Sequence, residues 1–446
     1  MEMNSNSVGA MWSKNVTFDN GEILLSGIPA STLAREFGTP TFFIDEEAFR
    51  SRAIAWRDGL KSEFGDRAGH VFYASKAFTC TAVAHWISEI GIGMDVATGG
   101  ELAAALAGGV NPAKIQVHGN NKSLAEIDRA VSIGVNTIVM DSLYEIDRVA
   151  EAARKHGKRQ AVLIRLTPGI EAHTHESIST AHEDVKFGFS IASGAAWEAI
   201  TKVHAHSSLE LRGIHAHIGS QIFGFESFEM LAERFVTFLA KYRDEFKKEL
   251  PELDLGGGYG IAYLEGEESV VPHDAMQALA NAVKKHCAEL NLEIPKVSIE
   301  PGRAIVGPTM FTLYEVGTVK DVVLENGAHR RYISVDGGMS DNIRPSLYGA
   351  EYTTILANRT SVAKKTSSRL VGKHCETGDI IIREIDLPED IVPGDLLAVP
   401  ATGAYGRSMA SNYNHVPRPS VVAVKDGKAR VIVRRESIED LLALDI

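Results

Sequence analysis

The sequence predicts an α/β protein: a (β/α)8 barrel of the TIM type joined to a second, mostly antiparallel β domain. Three observations lead there. Between about residues 70 and 300, eight short apolar runs alternate with amphipathic helical runs, and the first four lie about 22 residues apart, the length of one β-turn-α unit. From residue 311 the long helical runs stop, and strand-like runs follow one another across turn residues. The glycine-rich and charged residues of the first region fall at the C-terminal ends of its strands, where such barrels collect their chemistry.

In order, the eight runs are HVFYAS, GIGMDVA, KIQVHG, NTIVMD, AVLIRL, RGIHAHIG, ELDLGG and KVSIEP. TAVAHWISEIG, GELAAALAGG, SLAEIDRAVSIG and SLYEIDRVAEAARKHG are helical runs between them. GELAAALAGG carries a carboxylate near its start and stops at two glycines, as a helix does. Eight units without a reversal close into a barrel; an open doubly wound sheet is the alternative and typically holds fewer strands. The barrel is placed at residues 46–310 and the β domain at 1–45 and 311–446. The first 45 residues hold only short strand runs, EILLSG and TPTFFID, and are expected in the C-terminal sheet. One long interruption, residues 167–190, follows strand five, and a long loop on the C-terminal face is more often functional than decorative.

At 446 residues, 44% hydrophobic and 23% charged, the chain can build a substantial core. Its net charge of −12 argues against a nucleic acid or an anionic membrane as partner. No apolar run reaches the length of a membrane span. The opening MEMNSNSVGAMWSKNV lacks the apolar stretch of a secretory signal. Cys80, Cys287 and Cys375 make no disulfide framework. A cytoplasmic protein with at least one free thiol is expected.

Lys76 ends strand one among small residues, in VFYASKA. Alone it reads as a lysine that reaches back to solvent. Two other strand ends change that reading. GGGYG, Gly256 to Gly260, ends strand seven; it lacks the nicotinamide spacing but lets backbone N–H groups approach a phosphate, which barrels often hold after strands seven and eight. A plain tight turn is the alternative. EPGR, Glu300 to Arg303, ends strand eight with a carboxylate. A Schiff-base lysine, a phosphate nest and an acid facing a pyridine nitrogen are the parts that pyridoxal 5'-phosphate requires. An anionic Glu300 would keep that nitrogen protonated, so the ring could stabilise a carbanion, which suits decarboxylation.

His215 and His217, in HAH, lie two apart on strand six and are expected to face one side. Such a pair can bind zinc, as can HTH at His173 to His175, but neither a well-spaced third ligand nor HExxH is present, and no metal is expected. His217 could instead lie flat over the ring. Asp95 and Arg165 also end barrel strands and are assigned as aids that orient the ring or His217.

Across residues 72–419 the motifs FYASKA, HGNNKS, EAHTHESISTAHEDVKFGF, GIHAHIGSQIF, LDLGGGYGI, EPGR, VDGGMSDNIRPSLYGA, CETGD and NYNHVPRP occur in this order. With them the chain resembles the fold-type III pyridoxal phosphate enzymes, the alanine racemase and ornithine decarboxylase group, and within it the diaminopimelate decarboxylase family. The resemblance implies that Lys76 carries the cofactor as a Schiff base, His217 stacks on its ring, and Ser220 with Gly256, Gly257 and Gly258 holds its phosphate. It implies that Glu300 faces the ring nitrogen and that Gly302, Arg303 and Tyr405 also touch the cofactor. Arg303, Arg344, Tyr348, Glu376 and Tyr405 would bind the amino-acid substrate, and Cys375 would donate a proton. A homodimer is implied, the CETGD loop of each subunit entering its partner's active site.

The implied reaction converts meso-2,6-diaminopimelate to L-lysine and CO2, the last step of lysine biosynthesis. A distal carboxylate calls for arginine, which binds it bidentately, and Arg303 and Arg344 can answer. A distal ammonium calls for a carboxylate such as Glu376. Decarboxylation of ornithine, arginine or carboxynorspermidine, or a silent cofactor-binding homologue, are the alternatives.

Overall fold

A computed structural model of the protein describes residues 9–169 and 186–446. Residues 170–185, with the HTH motif and most of the loop after strand five, lie outside the described residues. The chain forms two compact units: Arg50–Gly260 with Val270–Ala304, and Met1–Phe49 with Ile261–Ser269 and Ile305–Ile446.

The first unit is a closed parallel barrel. Its strands are Ala68–Ala74, Gly93–Val96, Ile115–Val117, Thr137–Met140, Gln160–Thr167, Leu209–His215, Glu252–Asp254 and Lys296–Ile299. The eighth pairs with the first through Val297 with Ala68 and Ile299 with Val71, which closes the ring. QAVLIRLT, the fifth strand, is buried at every residue, as a parallel strand covered on both faces must be. Local chemistry starts and stops the helices between strands. Ser123 and Glu126 form a capping box ahead of helix Leu124–Ile133, and Gly134 ends it in the left-handed region at φ 76°. Helix Gly99–Ala107 starts at Thr98, whose side chain accepts from the Glu101 N–H, and stops at Gly108.

The sixth strand is shorter than RGIHAHIG suggests. It ends at His215, so His217 lies beyond the regular pairing rather than on it. Its neighbour turns away at Gly256, φ 68°, and the last ladder contact is the Ala216 N–H on the Asp254 carbonyl.

The second unit holds a sheet in the order Ile380–Pro388, Lys365–Val371, His329–Val335, Met310–Val323, Thr41–Asp45, Ser420–Lys425, Lys428–Val433. Of the N-terminal runs only TFFID joins it: Thr41–Asp45 is fully buried between Met310–Val323 and Ser420–Lys425, whereas EILLSG does not, because Glu22–Leu25 pairs locally with Val16–Asp19 and Ile28–Pro29 in a separate three-stranded sheet. Pairing is mostly antiparallel, with two parallel exceptions, Thr41–Asp45 on Ser420–Lys425 and His329–Val335 on Lys365–Val371. Phe43, Phe311, Leu313, Leu396 and Val422 pack one of its cores. Among the described residues no helix is long and apolar enough to cross a membrane.

Candidate active site

The functional residues of the barrel gather at the C-terminal ends of its strands. After Ala74 the chain turns tightly: the Ser75 N–H donates to the Asp95 carbonyl at 3.1 Å, and the Ala77 N–H donates to the Ala74 carbonyl at 3.1 Å. This turn leaves Lys76 exposed at the strand end. Gly302 packs against the same turn, where an added Cβ would lie 2.7 Å from the Ala74 Cβ. EPGR therefore needs its glycine to lie beside strand one.

GGGYG is more than a tight turn. A Cβ on Gly256 would lie 2.2 Å from the Ala216 carbonyl oxygen, one on Gly257 2.2 Å from that of Glu300, and one on Gly258 2.5 Å from that of Gly219. Gly256 and Gly258 also have φ values of 68° and 112°. The ends of strands six, seven and eight meet here at backbone-to-backbone distance. Among the described residues the N–H groups of Gly257 and Gly258 have no hydrogen-bond partner. Ser220 Oγ accepts from Arg303 Nη2 at 2.8 Å. Free backbone donors beside a hydroxyl and a guanidinium are groups with the chemistry to receive a phosphate.

Glu300 is buried at the end of strand eight. His118 Nε2 donates to its Oε1 at 2.9 Å, Gln116 Nε2 to the same oxygen at 3.0 Å, and His215 Nε2 to its Oε2 at 3.3 Å. Burial alone would raise its pKa, but the charge and hydrogen bonds of His118 and His215 outweigh this and hold the carboxyl well below the ordinary range. His118 is burdened by the same burial, yet the Glu300 and Asp95 carboxylates raise its pKa. Burial pushes His215 down to about 4. The centre is thus an ionised Glu300 between two imidazoles whose pKa values are driven apart, His118 up and His215 down. Asp254, between Gln116 Nε2 at 2.7 Å and the Gly256 N–H at 2.9 Å, is raised well above its ordinary pKa by burial and then by the Glu300 charge.

His217 sits nearby as a neutral imidazole, pushed well down by burial and then by the Lys76 and Arg165 charges. Asp95 is pushed up to about 6 by burial, while His118 and Lys76 pull it down.

Strand three and strand seven supply residues that the sequence reading passed over: Gln116, His118 and Asp254. A signal existed. Gln116 and His118 are polar residues two apart in an apolar strand, the pattern that drew attention to HAH. No third ligand was evident beside HAH, but folding brings His118 and Glu300 to His215, with one donor atom of each within 4.8 Å of the others.

In the second unit Arg344 opens the short helix Arg344–Tyr348 and is 6% exposed. Its guanidinium lies 4.9 Å from the Tyr263 ring centroid and 5.6 Å from that of Tyr352, and donates to the Tyr352 hydroxyl. Among the described residues no carboxylate pairs with it. Ser346 Oγ donates to the Gly378 carbonyl at 2.7 Å, tying this helix to the CETGD segment. Cys375 and Glu376 are exposed there. The Cys375 N–H donates to Asn414 Oδ1 at 3.0 Å, and the Tyr413 hydroxyl lies 3.5 Å from Glu376 Oε2. Tyr348 is half-buried at the helix end, and Tyr405 adopts φ 62° in the segment after Leu396–Val399.

Residues 46–307 match the family model described as the pyridoxal-dependent decarboxylase, pyridoxal binding domain. A diaminopimelate decarboxylase of Mycobacterium tuberculosis is 52% identical over 441 residues, 98% of each chain. The chain belongs to the diaminopimelate decarboxylase family. A crystal structure of diaminopimelate decarboxylase from M. jannaschii superposes with a TM-score of 0.90 at 30% identity, covering 97% of this chain and 98% of that one. One from Helicobacter pylori complexed with L-lysine gives 0.83 at 30% identity, covering 93% and 98%. The expected barrel and β domain are thus the architecture of diaminopimelate decarboxylases, and the chain is an enzyme of this carboxy-lyase class.

Proposed function

We propose that the chain binds pyridoxal 5'-phosphate at its barrel mouth and decarboxylates meso-2,6-diaminopimelate to L-lysine and CO2, the last step of lysine biosynthesis. The observation that carries the substrate reading is Arg344, a buried guanidinium with no carboxylate partner among the described residues. A buried charge without a counter-ion is costly, so such a site suits a ligand that brings the missing anion. The substrate's distal carboxylate does so, bidentately, and Tyr348 of the same short helix assists.

The barrel residues fit the cofactor. Lys76 Nζ would hold its aldehyde carbon, the Gly257 and Gly258 N–H groups with Ser220 Oγ would take its phosphate, and His217 would lie against its ring; the unpartnered glycine N–H groups support this reading. When bound, the cofactor supplies a cationic ring that takes up the electron pair left as CO2 departs. Glu300 would hold the proton on the ring nitrogen by charge attraction. Cys375 Sγ delivers a proton to the substrate α-carbon, Glu376 receives the distal ammonium, and Tyr405 positions ligand groups.

Cys375 and Glu376 are exposed in the single chain, which supports a homodimer in which this loop completes the partner's site. The test is CO2 and L-lysine release from meso-diaminopimelate, with and without added pyridoxal 5'-phosphate, compared with ornithine. Cofactor-dependent lysine formation, with ornithine turned over far more slowly, is expected. Equal or faster turnover of ornithine would contradict the substrate reading.

A further inference from the structure

Glu300 is surrounded by more donors than a single acid facing a ring requires. Thr137 Oγ1 donates to Gln116 Oε1 at 2.8 Å, which turns the Gln116 amide nitrogen toward Asp254 Oδ2 and Glu300 Oε1. The amide can meet two carboxylate oxygens only as a donor. His215 Nδ1 is buried without a hydrogen-bond partner among the described residues, so the neutral ring's proton belongs on Nε2, facing Glu300. His118 Nε2 and Gln116 Nε2 lie 3.0 Å apart because both converge on Oε1.

A carboxylate offers about four lone-pair positions, two on each oxygen. Oε1 uses both, for Gln116 and His118. His215 Nε2 lies 3.3 Å from both oxygens, and with Oε1 already filled its N–H takes one position on Oε2. One acceptor position is left, on Oε2. The two imidazoles come from the ends of strands three and six, pack edge to face with centroids 4.8 Å apart, and both direct Nε2 at the carboxylate.

Resting on the functional reading above, we infer that His118 and His215 are positioning residues: their Nε2–H groups lock Glu300 as an anion with a single acceptor position, reserved for the N–H of the cofactor ring. Both act through Glu300. Each removed donor frees an Oε position, loosens the carboxylate and makes protonation of Glu300 easier. Recognition of the ring nitrogen is then lost, while the Lys76 and phosphate contacts persist.

The test compares two probes on the full-length protein, pyridoxal 5'-phosphate and its 1-deaza analogue, in which carbon replaces the ring nitrogen. Binding is read by equilibrium titration of the visible absorbance and by intrinsic fluorescence. The unsubstituted protein is expected to prefer pyridoxal 5'-phosphate by about tenfold or more, the scale of one hydrogen bond to a charged group. His118→Phe and His215→Phe are expected to shrink that ratio several-fold. His118→Gln and His215→Gln, which keep an N–H near the Nε2 position, are expected to restore much of it. A merely structural role would weaken both probes equally and leave the ratio unchanged, and that result overturns the inference. No preference in the unsubstituted protein also overturns it. Failure of the unsubstituted protein to bind pyridoxal 5'-phosphate at all would instead refute the functional reading.

Discussion

Asp379 holds His374 by two bonds, accepting from its backbone N–H at 2.8 Å and from its Nδ1 at 2.9 Å, and the Asp379 carboxylate also accepts from the Met339 N–H at 2.6 Å. Both side chains are buried, and the His374 ring stacks on Tyr413 at 5.7 Å. One carboxylate therefore pins the start of the CETGD segment to the VDGGMSDN segment, and Cys375 and Glu376 follow directly. Asp379→Asn leaves at least one of three N–H donors poorly satisfied. A loss of about 1–3 kcal/mol in folding stability is expected, measured by urea denaturation. Unchanged stability would show that the carboxylate is not the anchor.

Cys375→Ala is expected to slow decarboxylation while leaving pyridoxal 5'-phosphate binding intact, because the thiol is exposed and the backbone N–H of the residue is what holds it, through Asn414. Steady-state turnover and a cofactor titration separate the two effects. Normal turnover would remove Cys375 as proton donor.

Gly257→Ala drives a Cβ against the Glu300 carbonyl oxygen, a backbone atom that cannot swing aside. A destabilisation of about 1–3 kcal/mol is expected, together with a fall in cofactor affinity. Denaturation and absorbance titration report both. An alanine variant that keeps full affinity would mean that the glycine run is not the phosphate cradle.

Glu436 sets a pH dependence. Hydrogen bonds from Arg418 hold its carboxyl down at about 2, despite partial burial. A group whose folded pKa lies below its unfolded value contributes stability above the unfolded pKa and loses it as pH falls through the folded one. The Glu436 contribution is full above pH 4.5 and vanishes toward about pH 2. Glu436→Gln is expected to melt lower than the unsubstituted protein at pH 7, with the gap closing as pH falls through this window. A gap that is constant with pH would show that the charge contributes nothing.

The barrel was legible because its signal is local. Eight apolar runs separated by helical runs leave little choice of architecture, and the chemistry-bearing strand ends can be read one at a time. What stayed hidden depends on which strand faces which across the barrel. Gln116 and Glu300 are 184 residues apart, and nothing in either strand announces the other. The crowding behind Gly256, Gly257 and Gly258 was equally silent, because the clashing atoms belong to neighbouring strands. Extending strand six through His217 failed for the same reason: its partner strand turns away at Gly256, a property of the neighbour rather than of HAHIG. The parallel pairings of the β domain also depend on strand order, which hydrophobic alternation does not encode.

The decisive quantity is the decarboxylation rate of Glu300→Gln saturated with pyridoxal 5'-phosphate, with borohydride reduction and peptide mapping used to verify that the cofactor still sits on Lys76. An amide cannot hold the ring nitrogen charged, so the rate should fall on the order of 100-fold or more while the Lys76 adduct persists. Turnover at the unsubstituted rate, with that adduct in place, would mean that Glu300 does not sustain the electron-accepting ring.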